Sequence, residues 1–404
     1  MSVDSAPAPS GRPLRERPLT VLFVIDSLGA GGSERSLAEL LGPIAQAGVR
    51  PTIALLTRRE GVERQVIDAG FDVRFIRSQT RMGRIREIRA LIRSERPDIV
   101  HTTLFNSDLA GRLAAVGLGI PLVTSLVNTS YDPVRLRDPN VRPMRLRLVR
   151  LVDGWTARHL TSHFHAVTRP VKEAAVRDLR VPAERITVIE RGRDPARVGA
   201  PDPVRRKRAR ERLGLSPDDE VLVTVGRQDF QKGHRYLIEA MVELTRLRPK
   251  AVLLIAGPRG HVSEELELLW RETELGDRVR FLGFVEDVPE LLAAADLFVF
   301  PSLYEGLPGA LIEAMAAGLP IVASDIEATR EVLEPSRNAI LVSPASASHL
   351  AGAVLRLLCE GETRHAFGSR SRSIFEERFT LDSSVHRMVA MYERVVDGRS
   401  RAIR

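Results

Sequence analysis

The sequence predicts an α/β protein of two successive domains, each a parallel sheet with helices on both faces. Three observations predict it. The chain has 404 residues, and single hydrophobic cores stop growing near about 250–300 residues, so two domains are expected. Short apolar, β-branched runs alternate with helix-period segments along nearly the whole chain, the pattern of βαβ units. The first such run leads directly into the glycine-rich loop Ser27-Leu-Gly-Ala-Gly-Gly-Ser33 and then a helix, the opening of an α/β domain.

Residues 19–26 read as a buried strand, and 34–47, with Leu37, Leu40, Leu41 and Ile44 at helical spacing, as a helix. Strands follow at 52–56, 73–76, 97–101 and 121–126, alternating with helices at 63–69, 84–93 and 108–116. Helical segments fill about 142–160, and strands at 163–167 and 186–189 close this half. Residues 194–210, with prolines and the run Arg205-Arg-Lys-Arg208, read as a linker leading into a first helix. The second run has strands at 221–225, 251–256, 279–281, 297–300 and 321–323. Its helices are expected at 235–247, 263–274, 288–294, 309–317, 347–360 and 363–378. The expected domains are therefore 19–198 and 199–382, after a flexible start at 1–18 that has no secretory apolar run.

Composition narrows the class. Hydrophobic residues make up 44% and charged residues 28%, a globular and not a disordered balance. No apolar run approaches the roughly 18 residues of a membrane span. The single cysteine, Cys359, excludes an intramolecular disulfide and a multi-thiolate metal site, and fits a reducing cytoplasm. The net charge of +8 suggests an anionic partner: nucleic acid, an acidic membrane surface or a phosphate-bearing substrate. No motif that reads nucleic acid accompanies it. Only four of the 60 basic residues are lysines, so Lys232, inside a motif, stands out.

Three segments could carry chemistry. In Phe300-Pro-Ser-Leu-Tyr-Glu-Gly-Leu-Pro-Gly309 a strand ends, a turn follows and a helix begins, with Glu305 on the turn and Glu313 inside the helix. Free amides at a helix start attract a diphosphate, while carboxylates accept hydrogen bonds from hydroxyls; a nucleotide sugar needs both. A capping Glu305 and a solvated Glu313 fit the same residues. In Val225-Gly-Arg-Gln-Asp-Phe-Gln-Lys-Gly-His234, Arg227 and Lys232 follow a strand and could neutralise a leaving diphosphate, although a solvated basic loop reads alike. The loop from Gly29 to Glu34 has neither dinucleotide nor Walker spacing, and a plain tight turn accounts for it as well. The histidines His159, His163 and His165 read as structural, and no zinc or Ser-His-Asp spacing is present.

Together these segments resemble glycosyltransferase family 4, retaining transferases of the GT-B fold. The resemblance runs from about Leu19 to Tyr392 and rests on Gly31-Gly-Ser-Glu34, Pro97-Asp-Ile-Val-His-Thr-Thr-Leu-Phe105, Gly226-Arg227 with Lys232-Gly233, Gly283-Phe284 with Asp287-Val288, and above all the spacing of Glu305 and Glu313. It implies two Rossmann-like domains facing a central cleft, with the last segment, 383–404, packing back on the first. Arg227, Lys232 and Glu305 would be the catalytic residues. Gly226, Phe284, Gly306, Leu307, Pro308, Gly309 and Glu313 would bind a UDP- or GDP-sugar. Gly31, Gly32, His101 and Asn128 would face a glycan or lipid-linked acceptor. No cofactor and no metal is expected, since two cations and a helix terminus take that place.

The sequence departs from the family pattern in three places. Asn128 or Val127 stands where members often carry a histidine, Thr103 stands for a second one, and Arg191-Gly-Arg193 replaces an Asn-Gly turn. An epimerase or hydrolase acting on nucleotide sugars, or a silent nucleotide-sugar-binding homologue, would share the fold. Residues 135–150 carry six arginines interleaved with Leu and Met, which would suit an acidic membrane surface, or else form a solvated face over a core stripe. A cytoplasmic protein, peripheral on the membrane, is the corresponding expectation.

Overall fold

The computed structural model describes residues 17–29 and 31–402, without the side chains of 399–402. The segment 1–16 of the expected flexible start, and residues 403–404, lie outside the described residues. Thirteen strands form two sheets among them. The first contains β1 (Leu19–Ile25), β2 (Val49–Leu55), β3 (Asp72–Phe75), β4 (Ile99–Thr103), β5 (Leu122–Leu126), β6 (His163–Ala166) and β7 (Ile186–Val188), in the order β3-β2-β1-β4-β5-β6-β7. The second contains β8 (Glu220–Val225), β9 (Ala251–Ala256), β10 (Val279–Gly283), β11 (Leu297–Phe300), β12 (Ile321–Ser324) and β13 (Ala339–Val342), in the order β10-β9-β8-β11-β12-β13. All neighbours are parallel, and central strands such as β4, β9 and β11 are buried along their whole length because helices cover both faces.

The winding direction reverses at β1/β4 in the first sheet and at β8/β11 in the second. Loops leaving the carboxyl ends of such a pair diverge, opening a crevice where ligands bind. The glycine-rich loop leaves β1, while Gly226 to Lys232 leave β8 and Pro301 to Gly309 leave β11. Both segments of the second domain singled out by sequence thus stand at its switch point.

Each sheet has a core on each face. In the second, Phe298, Phe300, Leu311, Met315 and Phe375 fill one side and Leu237, Met241, Leu253, Val354 and Leu357 the other. In the first, Leu22, Val24, Ile88, Ile92 and Ala114 fill one side. The opposite side includes Phe23, Leu41 and Ile44 together with Met388, Met391 and Tyr392 from the final helix, Leu381–Ala402. The chain therefore crosses between the sheets twice. The crossings run side by side, with Arg193 N donating to Phe379 O at 2.9 Å and Leu381 N to Arg193 O at 3.0 Å.

Several elements differ from the sequence expectation. A helix, Arg169–Leu179, follows β6; Thr168 caps it and a proline sits in its first turn. The supposed linker already contains the helices Pro195–Val198 and Pro203–Arg212, each started by an aspartate cap followed by proline. Helix Glu327–Val332 and edge strand β13 add one further unit; both are too short for a periodicity signal.

The helix Pro143–Leu160 is turned inside out. Its buried residues are Asp153, Gly154, Thr156 and Ala157, while Met144 (76% exposed), Leu148 (63%), Leu151 (67%) and Trp155 (54%) form an outward stripe. The inward face is polar because the buried guanidinium of Arg112 takes Asp153 Oδ1 at 2.6 Å, and the Tyr131 hydroxyl donates to Asp153 Oδ2 at 2.8 Å. Arg142, Arg145, Arg147 and Arg150 are exposed beside the apolar stripe, so the core-stripe alternative does not hold. No helix among the described residues is long and apolar enough to cross a membrane.

Candidate active site

A cavity of about 880 Å³ lies between the two sheets, lined by loops from the carboxyl ends of both. On its C-terminal wall β8 delivers Gly226, Arg227 and Lys232, and β11 delivers Glu305 and the turn into the helix Gly309–Ala316. Lys232 Nζ lies 2.5 Å from Glu305 Oε1 and 5.8 Å from the Phe300 ring centroid. Gly226 leaves room for that lysine, since a Cβ there would stand 3.1 Å from its Cδ. Arg227 is half exposed, its Nε 3.4 Å from Asp229 Oδ2. The first amides of the Gly309–Ala316 helix have no intrahelical acceptor and carry the positive end of its dipole. Leu307, Pro308 and Gly309 line the cavity beside them, and the half-exposed Phe284 lines it from the loop after β10.

Glu313 is buried one turn into that helix. Its Oε1 accepts from Arg193 Nε at 2.7 Å. Arg193, on the outgoing crossing, also reaches the first helix of the chain: Nη1 lies 3.3 Å from Ser36 Oγ and 3.5 Å from Glu39 Oε2. Burial lowers the Arg193 guanidinium's pKa, but Glu39 and Glu313 more than offset this, so it lies above its ordinary value. Glycine at 309 leaves room for this cation, since a Cβ would stand 2.3 Å from Arg193 Nη2 and displace the guanidinium.

Gly306 does not line the cavity. It touches the other domain: a Cβ there would stand 2.1 Å from Val127 O, and its carbonyl accepts from Thr168 Oγ1 at 3.2 Å. Its place is in the contact between the domains.

On the N-terminal wall Gly31, Gly32 and Asn128 line the cavity. Asn128 Oδ1 accepts from Thr129 N at 2.8 Å, and its Nδ2 has no partner among the described residues. His101 is elsewhere. It is 2% exposed and lies behind the wall, in a chain that sets every proton position. His165 Nε2 meets the carbonyl of Ile189 at 2.8 Å, so it donates. His165 Nδ1 then accepts from Ser125 Oγ at 2.9 Å, and Ser125 Oγ accepts from His101 Nε2 at 2.7 Å. His101 Nδ1 accepts from the Tyr392 hydroxyl at 2.5 Å. Burial pushes His101 well below the ordinary histidine range, with His165 and Arg191 adding to it. Burial also pushes His165 down to about 4. The chain anchors the final helix to the first sheet, and the acceptor-side place expected for His101 is corrected accordingly.

Other residues reach the cleft without having been singled out as site residues. Asp26, at the end of β1, accepts from Ser107 N (2.9 Å), Ser107 Oγ (2.6 Å) and Asn106 Nδ2 (2.8 Å), which fixes it at the β1/β4 crevice. Burial raises the Glu34 carboxyl, while its own amide, Arg227 and Arg191 draw it back in part. Burial pushes Arg191 down to about 10, with Arg193 adding to it and Glu34 opposing. The only signal for Arg191 and Arg193 was the departure Arg191-Gly-Arg193, whose partners lie far away in sequence. Among the described residues no three His, Cys, Asp or Glu side chains gather as ligands for a metal.

The wall after β8 and β11 thus offers two side-chain cations and a helix terminus to an anion, and two carboxylates to hydroxyl groups. Residues 205–374 match the model for Glycosyl transferases group 1, and 30–197 that for Glycosyltransferase Family 4. The chain is 29% identical over 286 residues to alpha-D-kanosaminyltransferase of Streptomyces kanamyceticus, covering 69% of this chain and 72% of the relative. It is 29% identical over 274 residues to UDP-Gal:alpha-D-GlcNAc-diphosphoundecaprenol alpha-1,3-galactosyltransferase of Escherichia coli, covering 66% and 68%. Anabaena Alr3699/HepE, solved with UDP and glucose, superposes with a TM-score of 0.81 at 21% identity, over 93% of this chain and 99% of that one. With family models matching each half, and two parallel-sheet domains facing one cleft, the chain belongs to glycosyltransferase family 4 and is a glycosyltransferase of the GT-B fold.

Proposed function

We propose that this glycosyltransferase retains anomeric configuration while moving a sugar from a nucleoside diphosphate sugar to an acceptor hydroxyl, in glycolipid, exopolysaccharide or cell-envelope glycan synthesis. The observation that carries the donor reading is the convergence of Lys232, Glu305 and Glu313 on one helix start at the β8/β11 switch point. UDP or UDP-glucose occupies the similarly folded HepE structures, which supports a UDP- or GDP-sugar here. Arg227, Lys232 and the helix amides would hold the diphosphate. Glu305 would accept from the transferred sugar's hydroxyls, Glu313 from the ribose, and the Phe284 loop would border the base.

Catalysis then comes from positioning and from stabilising charge on the departing diphosphate. The acceptor oxygen bonds to the anomeric carbon as the carbon–phosphate-oxygen bond breaks. The acceptor proton passes to the leaving phosphate oxygen on the same face, and no metal takes part. The acceptor approaches from the side of Gly31, Gly32 and Asn128.

The inside-out helix Pro143–Leu160 supports a peripheral location on the cytoplasmic face of the membrane. Its outward Met144, Leu148, Leu151 and Trp155, flanked by exposed arginines, suit an acidic bilayer surface.

A panel of UDP- and GDP-sugars, followed by thermal shift and sugar transfer, tests the donor reading, and product NMR tests retention. Failure of every donor to stabilise the chain, or inversion in the product, rejects the corresponding part. Flotation with acidic and neutral liposomes tests the membrane part, with binding to acidic vesicles that is lost in a Leu148→Glu, Trp155→Glu double variant as the expected result.

A further inference from the structure

Six arginines line the N-terminal wall of the cleft: Arg35 after β1, Arg59 after β2, Arg84 after β3, and Arg135, Arg142 and Arg145 after β5. Arg35, Arg84 and Arg145 stand in the first turns of three helices, Arg142 is the N-cap residue of the last of these, Arg135 lies in a 3-10 turn and Arg59 in a loop, so their convergence is a property of the fold and not of one basic run. None makes an ion pair among the described residues. Arg84 Nε donates to Ser78 O at 3.2 Å, and Arg135 donates to Ser130 O and to the Tyr304 hydroxyl; these partners are neutral and leave both charges uncompensated.

Elsewhere many arginines held against the fold have carboxylates, as Arg112 with Asp153, Arg205 with Glu290, Arg210 with Asp296 and Arg370 with Glu334, and others such as Arg89, Arg158 and Arg185 are spent on backbone carbonyls. The acidic groups facing this wall cannot balance the six. Asp153 is paired with Arg112 and Asp178 with Arg177, while Asp26, held by the neutral donors Asn106 and Ser107, and Glu34, whose carboxyl burial raises, leave two carboxylates against six guanidinium groups. Burial pushes the Asp108 carboxyl up to about 7, which weakens its negative charge at neutral pH. A concave wall with unpaired guanidinium groups concentrates positive potential, and guanidinium is the side chain best matched to phosphate oxygens.

We infer that the acceptor of this enzyme carries a phosphate or diphosphate ester, which the N-terminal arginines bind while its hydroxyl is presented to the donor sugar. The inference rests on the transferase reading and specifies its acceptor class. A free sugar phosphate and a lipid-linked sugar diphosphate share this chemistry.

The test is calorimetry on the full chain saturated with the nucleoside diphosphate that stabilises it most. A hexose 1-phosphate and the same uncharged hexose are titrated in parallel, followed by a short-chain lipid diphosphate sugar in detergent. The phosphorylated sugar should bind at least about tenfold more tightly, the scale of a charge-assisted bidentate contact. Arg59→Ala with Arg84→Ala, or Arg142→Ala with Arg145→Ala, should remove that preference with nucleotide affinity and melting temperature unchanged. Equal binding of charged and uncharged sugars, or a preference that survives in both double variants, overturns the inference. A further gain with the lipid diphosphate identifies the lipid-linked source, and no gain the free sugar phosphate. If no nucleotide binds, the donor reading fails, and the same titrations on the free protein still decide the arginine wall.

Discussion

On the C-terminal wall of the cleft Lys232 rests against Glu305, Arg227 against Asp229 and Glu313 against Arg193, whereas on the N-terminal wall six arginines have no carboxylate. The two walls come from the same βαβ architecture, and both place their loops at a switch point. They differ in how far their charges are already satisfied. The donor wall is a preset arrangement in which each charge is oriented by an opposite one. The acceptor wall leaves its charges to a ligand. Behind that wall polarity is dealt with in a third way, by neutral histidines in a closed hydrogen-bonded chain.

The contrast breaks most severely at Glu313. Glu313→Ala leaves the buried guanidinium of Arg193 with Glu39, at 3.5 Å, as its one carboxylate, beside the neutral acceptors Ser36 Oγ and Gly192 O. Removing one partner of a buried pair costs about 3 kcal/mol or more, because the other charge stays buried. A lower denaturation midpoint and a loss of donor affinity are both expected, by differential scanning fluorimetry and by titration of the nucleotide. Glu313→Gln keeps the shape and should recover part of the stability. Full stability in Glu313→Ala would show that Arg193 does not depend on the donor helix.

Lys232→Ala probes the same wall where the ion pair is more open, since the lysine side chain is 23% exposed. Its expected effect is on turnover: loss of one cation from the leaving group lowers kcat by about 10²–10³. Stability should fall as well, because Glu305 is buried, but by less than in Glu313→Ala, since the lysine end of the pair is the more open one. A fall in melting temperature as large as that of Glu313→Ala would make Lys232 a structural cation.

The donor wall was legible in the sequence because its parts are local. Arg227 and Lys232 sit on one loop and Glu305 and Glu313 on one turn and helix, so spacing alone groups them. The strand and helix alternation was legible for the same reason, from period and turn residues. The partner of Glu313 was not, because Arg193 is 120 residues away and only the fold joins them. The arginine wall escaped because Arg35, Arg59 and Arg84 belong to three separate segments, two helix starts and a loop. His101 stands at a strand end like a site residue, but whether its ring faces the cleft or Tyr392, 291 residues on, is a question of tertiary packing. Gly306 lies within the motif, yet its role in the fold is contact with Val127.

The N-terminal domain also holds two opposite acid responses. His165 has its pKa lowered from 6.5 to about 4 by burial, so the unfolded chain binds the extra proton between these values. Stability is present above pH 6.5 and falls as pH drops toward 4, by about 3 kcal/mol for this group. His101 beside it, and His234 in the second domain, both lowered by burial, act in the same direction. Asp108 has its pKa raised from 3.8 to about 7, with burial the largest cause and one buried oxygen unpartnered. The folded chain binds its proton in that window, so its cost grows as pH rises toward 7. The two trends offset each other in the wild type. Asp108→Asn removes one, and its denaturation midpoint should be higher than that of the wild type near pH 7.5 and fall more steeply between pH 7 and 5. A parallel pair of pH profiles would place the titration elsewhere.

The smallest effect separates the wall from what lies behind it. Tyr392→Phe deletes the donor to His101 Nδ1 and leaves that nitrogen buried without a partner, at a cost of about 1–3 kcal/mol. The other hydrogen bonds of the chain keep their direction, because the carbonyl of Ile189 still sets the tautomer of His165 and, through Ser125, that of His101. The denaturant midpoint should drop while kcat and both KM values remain unchanged, since no member of the chain except Ser125 touches the cleft. A loss of turnover in Tyr392→Phe without a loss of stability would return His101 to the acceptor side, where its place in the sequence had put it.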